Sequence, residues 1–370
     1  MIYFDNASTS PLLPEVKQFI IDNLDVYGNP SSLHDKGYEA KEMLECARRT
    51  IAEYIHAKPE EIYFASSGTE ANTQALYTGR EISDSVLISS FEHPSINVAA
   101  DSIFTNVKRI LPNASGIINV DDFKTDLNDI KFISIMHANN ELGSLQPIKQ
   151  IVDVAHENGC IVHSDMVQSV GHVPIDIKHL GVDMASMSGH KFGAPKGIAV
   201  LYCNSDNNIF PFNLLKGGLQ ERGYRASTEN VIGAAAMATA LKISVDNLEK
   251  NTSKIVDMRW RIISKLIEFG NVEFNGSMAS CLPGIINVSF KGLSGEEIQT
   301  MLNDRGIAVS TGSACHSGVK EPSVSLVSIG ASNECMHGAI RISLSHNNTM
   351  DEVEEFVKNL KEVIEILKRY

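Results

Sequence analysis

The sequence predicts an α/β protein in two parts: a large domain with a mainly parallel sheet covered by helices, and a smaller α+β domain. Three observations predict it. From Ile62 to Tyr202 short apolar runs alternate with helix-like ones, which is the grammar of βαβ units. After about Ile232 that alternation stops, and a long Ala-rich helical run gives way to scattered strands and helices. The chain has 370 residues, 43% hydrophobic and 21% charged, enough for a sizeable core and for two domains rather than one.

Taken in order, residues 1–15 read as irregular, because Pro11 and Pro14 break any helix. Pro14-Glu15-Val16 starts a short helix that ends before Gly28, and Tyr27-Gly28-Asn29-Pro30-Ser31-Ser32 is a loop by composition. A helix follows from about Lys36 to Ile55. Strand-like runs are expected at Ile62 to Ser66, Val86 to Ser90, Phe132 to Met136, Ile161 to Ser164, Met184 to Met187 and Ile198 to Tyr202. Helices fall among them at Thr69 to Thr78, Ser95 to Phe104 and Ile148 to Glu157. The helical run from Ala234 to Leu248 continues, with a bend, to about Phe269. Ile285 to Phe290 and Ile340 to Ser343 are strand-like. Gly295 to Asn303 is helical, and Ser294 with Glu297 fits a capping box. Before the last helix Thr349 and Glu352 fit a second box. Val353, Phe356, Val357, Leu360, Val363, Ile364 and Leu367 then share one apolar face.

The net charge of −13 argues against direct nucleic-acid binding and against a basic membrane-surface role. No apolar run approaches the roughly 18 residues of a membrane span. Met1-Ile2-Tyr3-Phe4-Asp5-Asn6 lacks the basic-then-apolar pattern of a signal peptide. A cytoplasmic protein is expected, with no nucleic-acid or membrane partner. The six cysteines lie far apart and none forms a CxxC, so reduced thiols are expected. His156, Cys160 and His163 make an HxxxCxxH, but a helix end and a strand share those positions, and no metal site is expected.

Ser188-Gly189-His190-Lys191-Phe192-Gly193 sets one lysine among small residues between two strand-like runs. Such an amine is either plain surface charge or the group that joins a carbonyl cofactor; the stretch alone leaves both open. Ser66-Ser67-Gly68-Thr69-Glu70-Ala71-Asn72 lies between a strand and a helix. A small turn, a helix N-terminus and the Thr69 hydroxyl suit a phosphate there, and a plain N-cap reads the same way. Asp165 falls at the end of a buried strand, 26 positions before Lys191. A carboxylate so placed can keep a pyridine nitrogen protonated, or simply cap the chain. Gln168 can donate to a ring oxygen. His93 can stack on a ring or move a proton, and Asn139-Asn140-Glu141-Leu142-Gly143 follows another strand. All of these follow strand C-termini and would point to one rim of one sheet. Ser310 to Gly318 is a small-residue loop with one thiol, Cys315, and a neighbouring His316 that favours thiolate. Arg341 is a charge among apolar residues, suited to a substrate carboxylate or to a structural ion pair.

Together these motifs resemble the cysteine desulfurases of the NifS/IscS type, fold-type I enzymes of the class V aminotransferase family that depend on pyridoxal 5'-phosphate. The resemblance runs nearly end to end, from Tyr3-Phe4-Asp5-Asn6-Ala7-Ser8-Thr9 and Gly28-Asn29-Pro30-Ser31-Ser32-Leu33-His34, through Ser188-Gly189-His190-Lys191 and Gln220-Glu221-Arg222-Gly223, to Gly312-Ser313-Ala314-Cys315. It implies a seven-stranded sheet in a large cofactor-binding domain over residues 16–250. A small domain of residues 1–15 and 251–370 would carry the catalytic cysteine loop. It also implies that Lys191 holds the cofactor, that Asp165 pairs with the ring nitrogen and Gln168 with the ring hydroxyl, and that His93, counted with Lys191 and Cys315 as catalytic, stacks on the ring. Gly68, Thr69, Ser188 and His190 would take the phosphate, with Thr228 reaching in from the partner of a homodimer. Asn140, beside the cofactor, and Arg341 would hold the substrate carboxylate, with Asn6 and Ala7 near it.

The reaction so implied turns L-cysteine into L-alanine. The Cys315 thiolate attacks the substrate sulfur, and the resulting persulfide passes to a protein acceptor such as an iron–sulfur scaffold or a sulfur carrier. Iron–sulfur cluster assembly, tRNA thiolation and cofactor biosynthesis stay open as destinations. Three places depart from the family pattern. Ser345 stands where glycine is usual, Met166-Val167 replaces small residues between Asp165 and Gln168, and Ser66-Ser67 replaces a glycine-containing pair. A selenocysteine lyase or an aminotransferase on the same fold is the competing enzyme, and the thiol at Cys315 argues against the aminotransferase. A homologue that only binds assembly partners is the third reading; Lys191 and Asp165 argue against it.

Overall fold

The structure, a computed structural model, describes residues 1–125, 127–311 and 322–369. β1 (Ile2–Tyr3) opens the chain, and seven strands of one sheet follow: β2 (Ile62–Ala65), β3 (Ser85–Ser89), β4 (Asn106–Ile110), β5 (Phe132–Ser134), β6 (Ile161–Asp165), β7 (Met184–Ser188) and β8 (Ala199–Cys203). Their order is β2-β8-β7-β6-β5-β3-β4. The sheet is mainly parallel, as the sequence predicts. Only β8 is inverted, running antiparallel to β7 on one side and β2 on the other.

Alternate residues of each strand face opposite sides. Leu87 of β3 joins the apolar cluster beneath the helices Asp35–Tyr54 and Val231–Asp246, while Val86 and Ile88 join the cluster beneath the helix Gly68–Ile82. That last helix lies close to the sheet. A Cβ at Gly79 would fall 2.2 Å from the Phe132 ring, so a side chain there would push helix and β5 apart.

β9 (Val272–Phe274), β10 (Ile285–Phe290) and β12 (Ala339–Ser343) form an antiparallel sheet with β10 central, and β11 (Ile307–Ala308) pairs in parallel with β1. Phe4, Ile262, Val288, Ile342, Phe356 and Leu360 share the core of this part. The first residues of the chain therefore pack against its last helix, with the Phe4 and Phe356 rings edge-on at 5.3 Å. The helix Met350–Leu367 carries the predicted capping box in full, Thr349 with Glu352. The predicted long helical run breaks at Asn247 into Val231–Asp246 and Leu248–Phe269, bent by 69°. The bend carries the chain from the core of the large sheet (Ala236, Leu241) to the second core (Ile262, Leu266). Among the described residues no single helix is long and apolar enough to cross a membrane.

Two inversions in succession leave β2 pointing the same way as β3, β5, β6 and β7. Their C-terminal ends share one rim, where open α/β sheets gather their ligands.

Candidate active site

β7 ends at Ser188, and the short turn Gly189–Lys191 lifts Lys191 to the edge of a cavity of about 560 Å³. The Lys191 amine donates from Nζ to Ala7 O at 2.7 Å and to Ser8 O at 2.9 Å. Burial pushes its pKa down to about 8, and the Arg341 charge pushes the same way against Asp165 and Asp5. Neutral amine is the nucleophilic form, so the site makes this lysine reactive.

Asp165, at the end of β6, is 5% exposed. Its Oδ2 accepts from Asn72 Nδ2 at 2.7 Å and its Oδ1 from Val167 N at 2.9 Å. Gln168 also lines the cavity, and its amide donates to Ala7 O at 2.9 Å. Beyond β3, His93 caps the helix Pro94–Ile103 and opens onto the same space. Its Nδ1 accepts from Ser95 N at 3.1 Å, which places the neutral ring's proton on Nε2. Burial holds this imidazole below its usual range.

The other end of the cavity is built for an anion. The helix Gly68–Ile82 starts there, N-capped by the Ser67 hydroxyl, which accepts from Glu70 N. A Cβ at Gly68 would meet Val167 Cγ2 at 3.1 Å and lie 3.9 Å from Ser188 Oγ, so glycine keeps the gap between this helix and β7 open. Thr69 and Ser188 line the gap. His190 lines it too, paired through Nδ1 with Thr9 Oγ1 at 3.1 Å, and burial pushes its pKa down to about 4, helped by Lys191 and Lys196. It is therefore a neutral ring at pH 7.

Asn140 and Arg341 close the cavity from the side of the smaller sheet. Of the two readings that the sequence left open for Arg341, the structure shows the ion pair. Arg341 faces the cavity, and its Nη2 pairs with Asp5 Oδ1 at 2.7 Å.

Among the described residues, those that the resemblance assigns to the site meet in one cavity, with two exceptions. Asn6 is turned away from it: its amide donates to Ser343 O at 2.8 Å, and the side chain faces a second cavity with His172 and Pro283. The backbone bond from Asn6 N to Ser343 O lays this stretch against β12 and sets that direction, leaving Ala7 as its contribution to the Lys191 cavity. Thr228 is exposed and lines a neighbouring hollow that shares Ser66 and Gly197 with the main one. Cys315, with His316, lies outside the described residues. His156, Cys160 and His163 do not converge: His156 pairs with Asp183, Cys160 with Ile130 O, and His163 is buried between Ser134 and Ser186.

Sequence reasoning passed over Asn72. The signal was a lone amide one turn beyond Thr69 on the face that also carries Ala75, Leu76 and Gly79, where apolar residues are expected. It also passed over Glu92, which is fully enclosed between Ser89 and Met136 N.

A phosphorylated pyridine aldehyde fits this donor set. A reactive amine and a strand-end carboxylate stand at one side, and a helix N-terminus, two hydroxyls and a neutral imidazole stand at the other. Fold and site together define a fold-type I enzyme of the pyridoxal-phosphate class. Comparison with known proteins narrows this. Residues 2–356 match the family described as Aminotransferase class-V. A cysteine desulfurase IscS of Methanosarcina thermophila is 36% identical over 376 residues, 99% of this chain and 93% of that protein. Among solved structures, a NifS-like protein from Rickettsia africae ESF-5 superposes with a TM-score of 0.91 at 33% identity, covering 99% of both chains. SspA in complex with cysteine gives 0.82 at 29% identity, covering 94% of this chain and 100% of that one. The chain belongs to the class-V aminotransferase family, among its cysteine desulfurases of the NifS/IscS type.

Proposed function

We propose that this protein is a cysteine desulfurase that binds pyridoxal 5'-phosphate in the Lys191 cavity and moves the sulfur of L-cysteine onto Cys315. The observation that carries the reading is the meeting of a lysine with a pKa pushed down to about 8, the enclosed Asp165 carboxylate and the Arg341 guanidinium in one cavity. Lys191 would hold the cofactor through its amine, Asp165 would keep its ring nitrogen protonated, and Gln168 and His93 would orient the ring. Gly68, Thr69, Ser188 and His190 would hold its phosphate. When bound, the cofactor supplies a ring that accepts electron density from the substrate's α-carbon.

The chain's own residues do the rest. Arg341 and Asn140 receive the substrate carboxylate. Lys191 Nζ, in its neutral form, takes the proton from Cα. The Cys315 thiolate attacks the substrate sulfur. An S–S bond forms as the Cβ–S bond breaks, the electron pair stays with Cβ, which takes a proton, and Lys191 returns the proton to Cα to complete alanine. The product on the enzyme is a persulfide, and a protein acceptor such as an iron–sulfur scaffold or a sulfur carrier would consume it. Thr228, exposed beside a hollow continuous with the phosphate end, suits a homodimer in which it completes the partner's site. A cytoplasmic setting accords with reduced thiols.

Purified protein given pyridoxal phosphate, L-cysteine and a reductant should release alanine and sulfide in equal amounts. Lys191→Ala should abolish both along with the cofactor's lysine-linked absorbance. Cys315→Ser should abolish both and keep that absorbance; full activity in Cys315→Ser would overturn the persulfide route.

A further inference from the structure

Arg341 has no free two-point grip. Its Nη2 carries two hydrogens, and both are used: one on Asp5 Oδ1 at 2.7 Å and one on Ser8 Oγ at 2.7 Å. Nη1 donates to Asn140 O at 2.8 Å. Nε is buried and has no partner among the described residues. A carboxylate takes a guanidinium bidentately along one of two edges, Nη1 with Nη2 or Nε with Nη2. Nη2 belongs to both. A substrate carboxylate therefore cannot make two bonds to Arg341 while Asp5 and Ser8 keep that nitrogen.

Asp5 and Ser8 act as a unit, since Ser8 Oγ donates to Asp5 Oδ1 at 2.8 Å. The same turn offers Ala7 O and Ser8 O to the Lys191 amine. One four-residue turn thus occupies two basic side chains of the cavity, Arg341 and Lys191. The Asp5 side chain is 22% exposed against 6% for Arg341, so a displaced Asp5 carboxylate can pass to water while the guanidinium stays where it is.

We infer that Asp5 is an internal competitor for the substrate carboxylate. It neutralises Arg341 in the resting site, and L-cysteine must displace it to bind through two bonds. Asp5 thereby sets how strongly the site favours carboxylate-bearing ligands. This rests on the reading that Arg341 receives the substrate carboxylate.

The test uses the holoenzyme and two inhibitors of alanine release. 3-Mercaptopropionate has thiol and carboxylate but no amine, and cysteamine has thiol and amine but no carboxylate. Asp5→Asn keeps the shape and the acceptor oxygen but removes the charge. It should lower the inhibition constant of 3-mercaptopropionate about fivefold and leave that of cysteamine in place. Ser8→Ala, which frees Nη2 from its other partner, should lower it less. A constant for 3-mercaptopropionate that is unchanged or higher in Asp5→Asn overturns the inference, as does an equal change for cysteamine, which a merely structural role would produce. Arg341→Gln separates the two layers. If it leaves 3-mercaptopropionate binding untouched, the carboxylate reading of Arg341 falls and this inference with it. If it weakens that binding and Asp5→Asn has no effect, this inference alone falls.

Discussion

Asn72 donates from Nδ2 to Asp165 Oδ2 at 2.7 Å and, from the same nitrogen, to Ser95 Oγ at 2.8 Å. One amide thereby ties the second turn of a helix to the end of β6 and to the helix that follows His93. The carboxylate keeps its direction because a rigid element holds it.

Asn72→Leu should therefore weaken cofactor binding without touching Lys191. Hydrogen bonds to charged groups contribute about 1.5–3 kcal/mol, so the dissociation constant of pyridoxal phosphate should rise roughly tenfold or more. Asp165→Asn, which removes the charge itself, should cost more. Titrating cofactor-free protein and following the bound-cofactor absorbance measures both. An Asn72→Leu protein that binds as tightly as the parent would show that Asp165 holds its orientation unaided.

Lys191 predicts a pH dependence. Only neutral amine reacts with the aldehyde, and burial places the midpoint of the cofactor-free protein near 8 instead of near the ordinary lysine value of about 10.4. The initial rate of cofactor uptake should rise with pH and level off above 8. Arg341 lowers this pKa and Asp165 raises it. Arg341→Gln should accordingly move the midpoint up, and Asp165→Asn should move it down. Stopped-flow absorbance over pH 6–10 gives the profiles; shifts in the opposite directions would contradict the electrostatics of the site.

How much of this was legible in the sequence depended on the distance over which each feature acts. Strands such as Met184–Ser188 announce themselves because five consecutive buried residues must be compatible with a core. β4 did not, because it is an edge strand. In Asn-Val-Lys-Arg-Ile only the last residue is buried, and charges on an edge guard it from pairing further. The inversion of β8 is equally silent, since an apolar run carries no direction. Lys191, Asp165 and His93 stood out because each follows a strand. Asn72 and Asp5 act through partners 93 and 336 positions away, and nothing local marks them. Asn6 was misplaced for the same reason: its direction is set by Ser343, on β12.

Glu221 predicts a stability effect. It sits with φ 45°, in the left-handed region, and Arg48 grips both its oxygens at 2.8 Å while Phe64 N donates to it at 2.9 Å. Both side chains are buried, 6% and 2% exposed. Glu221→Ala leaves a buried cation and a buried amide short of an acceptor, and should cost about 3–5 kcal/mol. The double variant Arg48→Met with Glu221→Leu should recover most of that, because it removes both charges together. Urea unfolding midpoints of the three proteins decide the matter. A double variant no more stable than Glu221→Ala would mean that the stranded Arg48 charge is not what costs stability.

Glu92 predicts a slope in the pH dependence of stability. Burial pushes its pKa up to about 8, although Ser89 Oγ and Met136 N both donate to its Oε1. In the unfolded chain an ordinary glutamate ionises near 4.3. Between those values the folded protein keeps a proton that the unfolded chain has lost, so raising the pH favours unfolding, by at most about 1.4 kcal/mol per pH unit from this group. Below about pH 4 and above about pH 8 the contribution is flat. Glu92→Gln has no proton to lose. The slope of its unfolding free energy against pH between 4.5 and 8 should be more positive than that of the parent. Any constant cost of the new amide shifts the whole curve and leaves this difference in slope intact. Urea denaturation of both cofactor-free proteins at half-unit intervals measures it, and parallel curves would mean that Glu92 is ionised in the folded site.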